Sequence, residues 1–382
     1  MGKKVNNSKS KTNVKTKTKS KYTFSKTSII IFLLLTILLT VFAFVFKKPI
    51  EEKLNKNNVT QVINYDGLVM HTIDVGQAEA IMIKLPDGKN MLVDSGNKGS
   101  EKNEKLKSYL INNYFASVNN KEIDYFVITH SDADHTGGAV MIFDNFQVNK
   151  VFRPNLFSDL LESEAEIPTS YEKKYVSSYK ENWKAVVEKM YSEPNCEVEF
   201  SKAGVEIIES NYSIKFCAPT EDNYSNVNSY SPIIILEYSS RKIMLTGDAT
   251  TQTESYALAN LSHCDILKVA HHGSKTSTSV EFLNVVNPNY AIISANANDH
   301  NNYGLPKQEI LNRLQEYMPS KNIFRTDLNG NIVLTISSAS EINFILDVQN
   351  NNYYIKVEYI LGGAVVVLFI ICFSKGKKKV KK

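Results

Sequence analysis

Cysteine is scarce in this chain of 382 residues: Cys196, Cys217, Cys264 and Cys372 are the four present. None forms a CxxC pair, so neither a zinc ribbon nor a thioredoxin-type redox motif is encoded. A disulfide-stapled scaffold is excluded on the same count. Glycine (16) and proline (10) are too few for a collagen-like or low-complexity chain. No solenoid period recurs. Acid is missing from both ends: residues 1–27 hold nine lysines and 374–382 hold six, with no Asp or Glu in either. Taking those fifteen charges from the net +4 leaves −11 for residues 28–373. The body therefore lacks the basic surface of an electrostatic DNA-binding platform. What it has is a 43% hydrophobic content, which excludes global disorder.

Long apolar runs are confined to two places. Residues 28–46 form nineteen positions without a charge, enough for a helix to cross about 30 Å of hydrocarbon. A cleavable signal peptide is the competing reading, but the run is long for one and no small-x-small site follows. The second run, 359–373 within a segment 354–373, is followed by the second lysine tail. A buried C-terminal strand or helix is its plain alternative; the flanking lysines favour a short span. Positive residues stay cytoplasmic. The expected layout is thus a cytoplasmic tail (1–27), a transmembrane helix (28–46), a linker (47–64), an extracellular domain (65–345), a second transmembrane helix (354–373) and a cytoplasmic tail (374–382). The protein is accordingly expected in the cell membrane, where an outside location permits a disulfide between Cys196 and Cys217.

Between the spans, alternation and turn residues predict strands at 68–75, 80–85, 90–94, 123–129, 214–218, 233–238, 242–246, 265–270, 291–294 and 332–336. Helical spacing falls at 101–115, 253–260, 279–286 and 307–317. Residues 155–195, rich in Tyr and Glu, read as a surface insertion, helical around 183–190. The fold class is α/β, one domain of about 280 residues.

Chemistry-bearing residues collect at strand ends. Thr129-His130-Ser131-Asp132-Ala133-Asp134-His135-Thr136-Gly137-Gly138 places two imidazoles and two carboxylates within six residues, directly after an apolar strand. These are the ligand types that hold zinc, manganese or iron. A polar turn capping a helix through Asp134 is the plain alternative, but a turn needs one such residue, not four. Gly137 and Gly138 allow close backbone approach. A second strand ends at Thr246-Gly247-Asp248 and a third at His271-His272-Gly273-Ser274. Of seven histidines, four lie at these ends; His71 and His263 read as structural, and His300 is undecided.

These residues resemble the metallo-β-lactamase fold superfamily, and within it the hydrolase domain of the ComEC/Rec2 DNA-uptake competence proteins. The resemblance runs from Leu68 to about Ile336. It rests on Ile73-Asp74-Val75-Gly76-Gln77, Leu92-Val93-Asp94-Ser95-Gly96, the 129–138 motif, Asn228-Ser229-Tyr230-Ser231, Thr246-Gly247-Asp248, His271-His272-Gly273-Ser274-Lys275-Thr276-Ser277, Tyr303-Gly304-Leu305-Pro306 and Arg325-Thr326-Asp327. It implies a four-layer αββα sandwich with the site along one edge of the two sheets. Three departures stand out. Asp132 occupies the second place of the usual HxHxDH, as in the competence branch. Leu305 replaces a histidine. The histidine usual between the first loop and the bridging aspartate is missing, with Asn228 or Ser231 nearby, so that His272 or His300 is left to complete the site.

The resemblance implies a divalent-metal hydrolase, with two zinc ions or manganese as cofactor. One metal would lie on His130, Asp132 and Asp248, the other on Asp134, His135, Asp248 and His271. A hydroxide activated between them would attack a phosphodiester. Asp134, Lys275 and His272 are the expected catalytic residues, and Ser274 and Asn228 the expected substrate contacts. Asp94 would orient the metal loop. The implied substrate is DNA. Other extracellular phosphodiesters, such as teichoic-acid components, remain open because the body is acidic. A catalytically impaired, membrane-tethered binding domain is the non-enzymatic alternative.

Overall fold

The computed structural model describes residues 27, 29–37, 65–116, 121–158, 161–165, 167, 174–175, 181–296 and 303–347. Lys53–Tyr354 form one compact unit; of the other, Met1–Glu52 with Ile355–Lys382, only 27 and 29–37 are described, and they are helical. Among the described residues no helix is long and apolar enough to cross a membrane. The expected span 28–46 is thus described only in part. The span 354–373, the linker 47–64, the 374–382 tail and His300 lie outside the described residues.

The unit is built on two facing mixed sheets. One runs Glu197–Phe200, Lys150–Arg153, Tyr125–Val127, Asn90–Val93, Ile81–Lys84, Gly67–Thr72, Ile332–Ser337 and Ile342–Leu346. The other runs Glu206–Ile208, Tyr212–Phe216, Ile234–Tyr238, Arg241–Leu245, Ile266–Lys268, Tyr290–Ile293 and Ile323–Arg325. Each sheet is antiparallel at one side and parallel at the other. The parallel strands are Asn90–Val93, Tyr125–Val127, Lys150–Arg153 and Glu197–Phe200 in the first. In the second they are Arg241–Leu245, Ile266–Lys268, Tyr290–Ile293 and Ile323–Arg325.

Period-two alternation sorts the strand residues between three cores. Met91, Val93 and Val127 face Ile243, Leu245, Ile266 and Ile292 between the sheets. Leu92 and Phe126 face outward onto a layer of helices carrying Leu106, Ile142 and Phe143. Met244, Ala291 and Ile293 do the same on the far side, beneath Phe282, Leu283, Ile310 and Leu314. Four layers result, αββα. Each buried Leu, Ile or Phe contributes roughly 1.5–3 kcal/mol of transfer free energy.

Three expectations change. The helix expected at 101–115 is α-helical over Ser100–Tyr109 and then widens to a π-turn over Leu110–Tyr114. The segment 155–195 is not a surface insertion throughout. Its helix Glu181–Ser192 buries Trp183, Val186, Val187 and Met190 in the outer core. It is tied down by Arg153, fully buried among the rings of Phe157, Trp183, Tyr191 and Phe200 and paired with buried Glu164 at 3.1 Å. Cys196, Cys217 and Cys264 are free thiols, so the Cys196–Cys217 pairing does not form here.

Candidate metal centre

Parallel strands send their carboxyl ends to one edge of a sheet, which is where α/β folds place their sites. Here both sheets do so on the same side. Tyr125–Val127 leads into His130–His135, Arg241–Leu245 into Asp248, and Ile266–Lys268 into His271 and His272. Two glycines permit the approach. A Cβ on Gly247, at φ +47°, would stand 2.7 Å from the Thr129 Cβ; one on Gly137 would stand 2.0 Å from the Lys98 backbone nitrogen. Gly247 thus lets the turns of the two sheets close on each other, and Gly137 lets the metal loop pack on a neighbouring turn of its own sheet.

The imidazoles are oriented by their outer nitrogens. His135 Nδ1 donates to Asp94 Oδ2 at 2.6 Å, since a carboxylate can only accept. Asp94 also accepts from the Thr129 backbone at 2.9 Å and the Thr129 hydroxyl at 2.8 Å. That hydroxyl, its proton committed to Asp94, accepts from His130 Nδ1 at 3.0 Å. His272 Nδ1 donates to the Ser294 carbonyl at 2.9 Å. With the Nδ1 proton committed to these bonds, each ring turns its Nε2 inward, where a neutral imidazole presents its lone pair. The His135 carbonyl is held by the backbone N–H and hydroxyl of Ser95, at 2.7 and 3.0 Å.

Asp248 lies at the meeting point. Its Oδ1 stands 3.2 Å from His135 Nε2 and 3.9 Å from His272 Nε2; its Oδ2 stands 3.8 Å from His130 Nε2 and 3.6 Å from His271 Nε2. Asp132 Oδ2 lies 3.7 Å from His130 Nε2, and Asp134 Oδ2 lies 3.5 Å from His272 Nε2. Two triads bring their ligand atoms close enough to share a cation: His130, His135 and Asp248, and Asp134, His135 and His272. His130 Nε2, His135 Nε2, His272 Nε2 and Asp248 Oδ1 are buried without a hydrogen-bond partner. Buried polar atoms are ordinarily satisfied, and a bound ion is one of the few explanations for a convergent group of orphans. The donor set of imidazole nitrogens and carboxylate oxygens suits a divalent transition metal. The site fits one.

Charge reinforces this. Burial alone would raise the Asp248 carboxyl, but His135 and His272 hold it well below the usual carboxylate range. Burial likewise works against Asp134, which His272 and His135 hold low. Burial pushes His130 down to about 4, with His135 adding to the effect. Burial opposes a charge on His135 and His272 too, yet Asp248 and its neighbours raise both. A site that keeps carboxylates ionised and draws protons onto buried imidazoles demands positive charge. Metal uptake would displace those protons.

The six expected metal residues come together. Their partition differs from expectation: His271 faces Asp248 Oδ2 on the His130 side, a quarter exposed, whereas His272 stands beside Asp134. Asn228 is at the rim, its Nδ2 3.4 Å from His271 Nε2. Ser231 lies 3.4 Å from His130 Nδ1 and accepts from the Asp248 backbone at 3.2 Å. Ser274 is nearly buried and bonds the Thr276 hydroxyl at 3.0 Å, while Lys275 is exposed on the same turn. Leu305, an apolar residue that offers no ligand atom, is 8% exposed. The roles of Thr129 and the Ser294 carbonyl had no sequence signal: a threonine beside a histidine and a main-chain oxygen carry none.

Residues 73–208 match the metallo-beta-lactamase superfamily. ComE operon protein 3 of Bacillus subtilis is 27% identical over 272 residues, covering 68% of this chain and 32% of that protein. Recombination protein 2 of Haemophilus influenzae is 28% identical over 249 residues, 64% of this chain and 26% of that one. Competence protein ComA of Neisseria gonorrhoeae is 24% identical over 265 residues, 67% and 30%. The chain thus matches about a third or less of the length of these relatives. Among solved structures, the metallo-beta-lactamase fold protein YhfI from Bacillus subtilis aligns with 73% of this chain and 100% of its own, at 10% identity and a TM-score of 0.43.

Proposed function

We propose, from the premise that this chain carries a metallo-beta-lactamase domain related to those proteins, that it is a two-metal phosphodiesterase. The observation that carries the reading is the convergence of orphaned His130, His135 and His272 Nε2 atoms on Asp248. His130, Asp132 and Asp248 would hold one divalent ion, and Asp134, His272 and Asp248 the second, with His135 between the two groups. Zinc suits the donor set and manganese is the alternative. When bound, such ions supply Lewis acidity to a phosphoryl oxygen and a nucleophilic water at neutral pH.

The protein's own residues do the rest. Asp94 and Thr129 fix the ring planes of His135 and His130, so the donor atoms are set before substrate arrives. Asp134, ionised and facing the opening, is placed to accept a proton from the attacking water. Lys275, exposed on the turn after the histidines, neutralises a non-bridging oxygen. Ser274 and Asn228 position the leaving group. His271, outside both triads and partly exposed, meets substrate at the same rim.

Kinship with Recombination protein 2 and ComA supports DNA as the substrate. The −11 body supports recognition centred on the metals and not on a basic track. We read the lysine tails and the 28–46 and 354–373 runs as anchors that hold the domain outside the membrane; external protease on intact cells should remove it. Metal analysis of the purified chain, with turnover of bis-p-nitrophenyl phosphate and single-stranded DNA, tests the function. The expected outcome is bound metal and hydrolysis abolished by Asp134→Ala. Neither metal uptake nor turnover with added zinc or manganese would refute it.

A further inference from the structure

Besides Arg153–Glu164, a second ion pair is sealed from solvent and belongs to no ligand group. Lys268 Nζ stands 2.5 Å from Glu79 Oε2, and both side chains are 0% exposed. It joins the sheets: Glu79 lies just before Ile81–Lys84 in the first, and Lys268 ends Ile266–Lys268 in the second. We propose that this pair is a positioning device that sets the distance between the ligand loops of the two sheets, and so sets metal affinity. The inference rests on the ligand assignment proposed above.

Three observations carry it. First, the main chain of each partner is tied to a ligand segment. The Glu79 N–H donates to the Asp134 carbonyl at 3.0 Å, while the Lys268 carbonyl accepts from the Thr246 hydroxyl at 2.5 Å, two residues before Asp248. Lys268 itself lies three residues before His271. Displacing either side chain therefore moves a ligand loop. Second, stability alone does not account for the pair. Burying two opposite charges costs about as much as their attraction returns, and apolar residues of equal volume often do as well. Glu79 Oε1, moreover, is buried without a hydrogen-bond partner, a cost that a purely structural contact has no reason to retain. Third, the bond is directional. The ammonium also donates to the Val269 carbonyl at 3.1 Å, which fixes its position as a greasy contact would not.

The test is cobalt(II) titration of the metal-stripped full chain, read by visible absorption beside the melting temperature. Lys268→Met and Glu79→Gln each leave one buried charge alone, so both should melt lower and bind cobalt more weakly. The double variant Lys268→Met/Glu79→Met removes both charges at similar volume. It should recover most of the melting temperature yet bind cobalt roughly 10–100-fold more weakly, with an altered spectrum, as when an outer support of a metal site is lost. Wild-type affinity in a folded double variant would overturn the inference while leaving the metal centre intact. Absence of cobalt uptake by the wild-type chain would overturn both. Should the double variant not fold, Glu79→Asp decides: it keeps both charges and withdraws the carboxylate by one methylene, and unchanged affinity there also refutes the positioning role.

Discussion

His71 sits in the middle of the strand Gly67–Thr72, 1% exposed, its Nδ1 2.9 Å from the Tyr109 hydroxyl and its ring edge-on to Tyr114 at 5.2 Å. Burial pushes its pKa down to about 3 from 6.5. The folded state thus binds its proton only below about 3, whereas the unfolded chain binds one below 6.5. Stability rises with pH wherever the unfolded chain holds more protons. The His71 contribution is therefore intact above 6.5 and is lost progressively as pH falls toward 3. The full gap corresponds to about 5 kcal/mol; because the unfolded imidazole is already half protonated at pH 6.5, the interval from pH 6.5 to 4.5 carries about 2 kcal/mol of it. His71→Gln keeps a hydrogen-bonding group of similar size and does not titrate. Guanidinium unfolding at pH 6.5, 5.5 and 4.5, in chelator, can be followed by the fluorescence of Trp183, the single tryptophan. Other acid-sensitive groups cancel in the difference between the two chains. The variant should start less stable at pH 6.5 and lose about 2 kcal/mol less by pH 4.5. Parallel stability–pH lines would refute the assignment of a neutral buried His71.

Two substitutions probe the site's supports. Asp94→Asn removes the charge that holds His135 Nδ1–H at 2.6 Å; metal affinity measured by chelator competition should fall roughly 10–100-fold, and an unchanged value would exclude Asp94 from orienting the ligand. Gly137→Ala forces a Cβ to within 2.0 Å of the Lys98 backbone, so the metal loop or the 95–98 turn must shift. Thermal unfolding should show a loss of about 1–3 kcal/mol or more, and a melting temperature equal to wild type would show that the two turns are not packed as described.

The α/β character was legible because its causes are local, whereas the four-layer αββα order was implied by the family resemblance. Alternation in Asn90–Val93 and Arg241–Leu245 sends one set of side chains inward and the other outward, and the ligand motifs follow such strands directly. Short strands such as Glu206–Ile208 and Ile323–Arg325 escaped, since three residues show no period. The helix Glu181–Ser192 is different. Trp183, Val186, Val187 and Met190 follow the i, i+3, i+4, i+7 spacing of a buried face. The charged residues between them belong to its outer side, and composition taken over the whole 155–195 segment averaged the two faces into a surface. Arg153 and Glu164 gave no warning at all, because nothing in a sequence shows that a cation will be boxed by four aromatic rings.

The His271-His272 pair shows where reading by spacing stops. The resemblance assigns His271 to the metals and His272 to catalysis, and in an extended strand such neighbours would point to opposite faces. The backbone does something else: His271 and His272 both take left-handed conformations, at φ 51° and 53°. For a residue with a Cβ this costs roughly 1–2 kcal/mol each, and it persists only where surroundings over-determine it. They do: the His271 N–H donates to the Gly247 carbonyl at 3.0 Å, and the His272 ring is anchored on Ser294. The turn brings one imidazole to each side of Asp248, His272 toward Asp134 and His271 toward His130. Glycine would adopt this turn without strain, so packing alone gives no reason for two histidines here. The reason lies in their Nε2 atoms, one buried without a partner beside Asp134 and one at the rim beside Asn228, which is why strain is tolerated where the sheets meet.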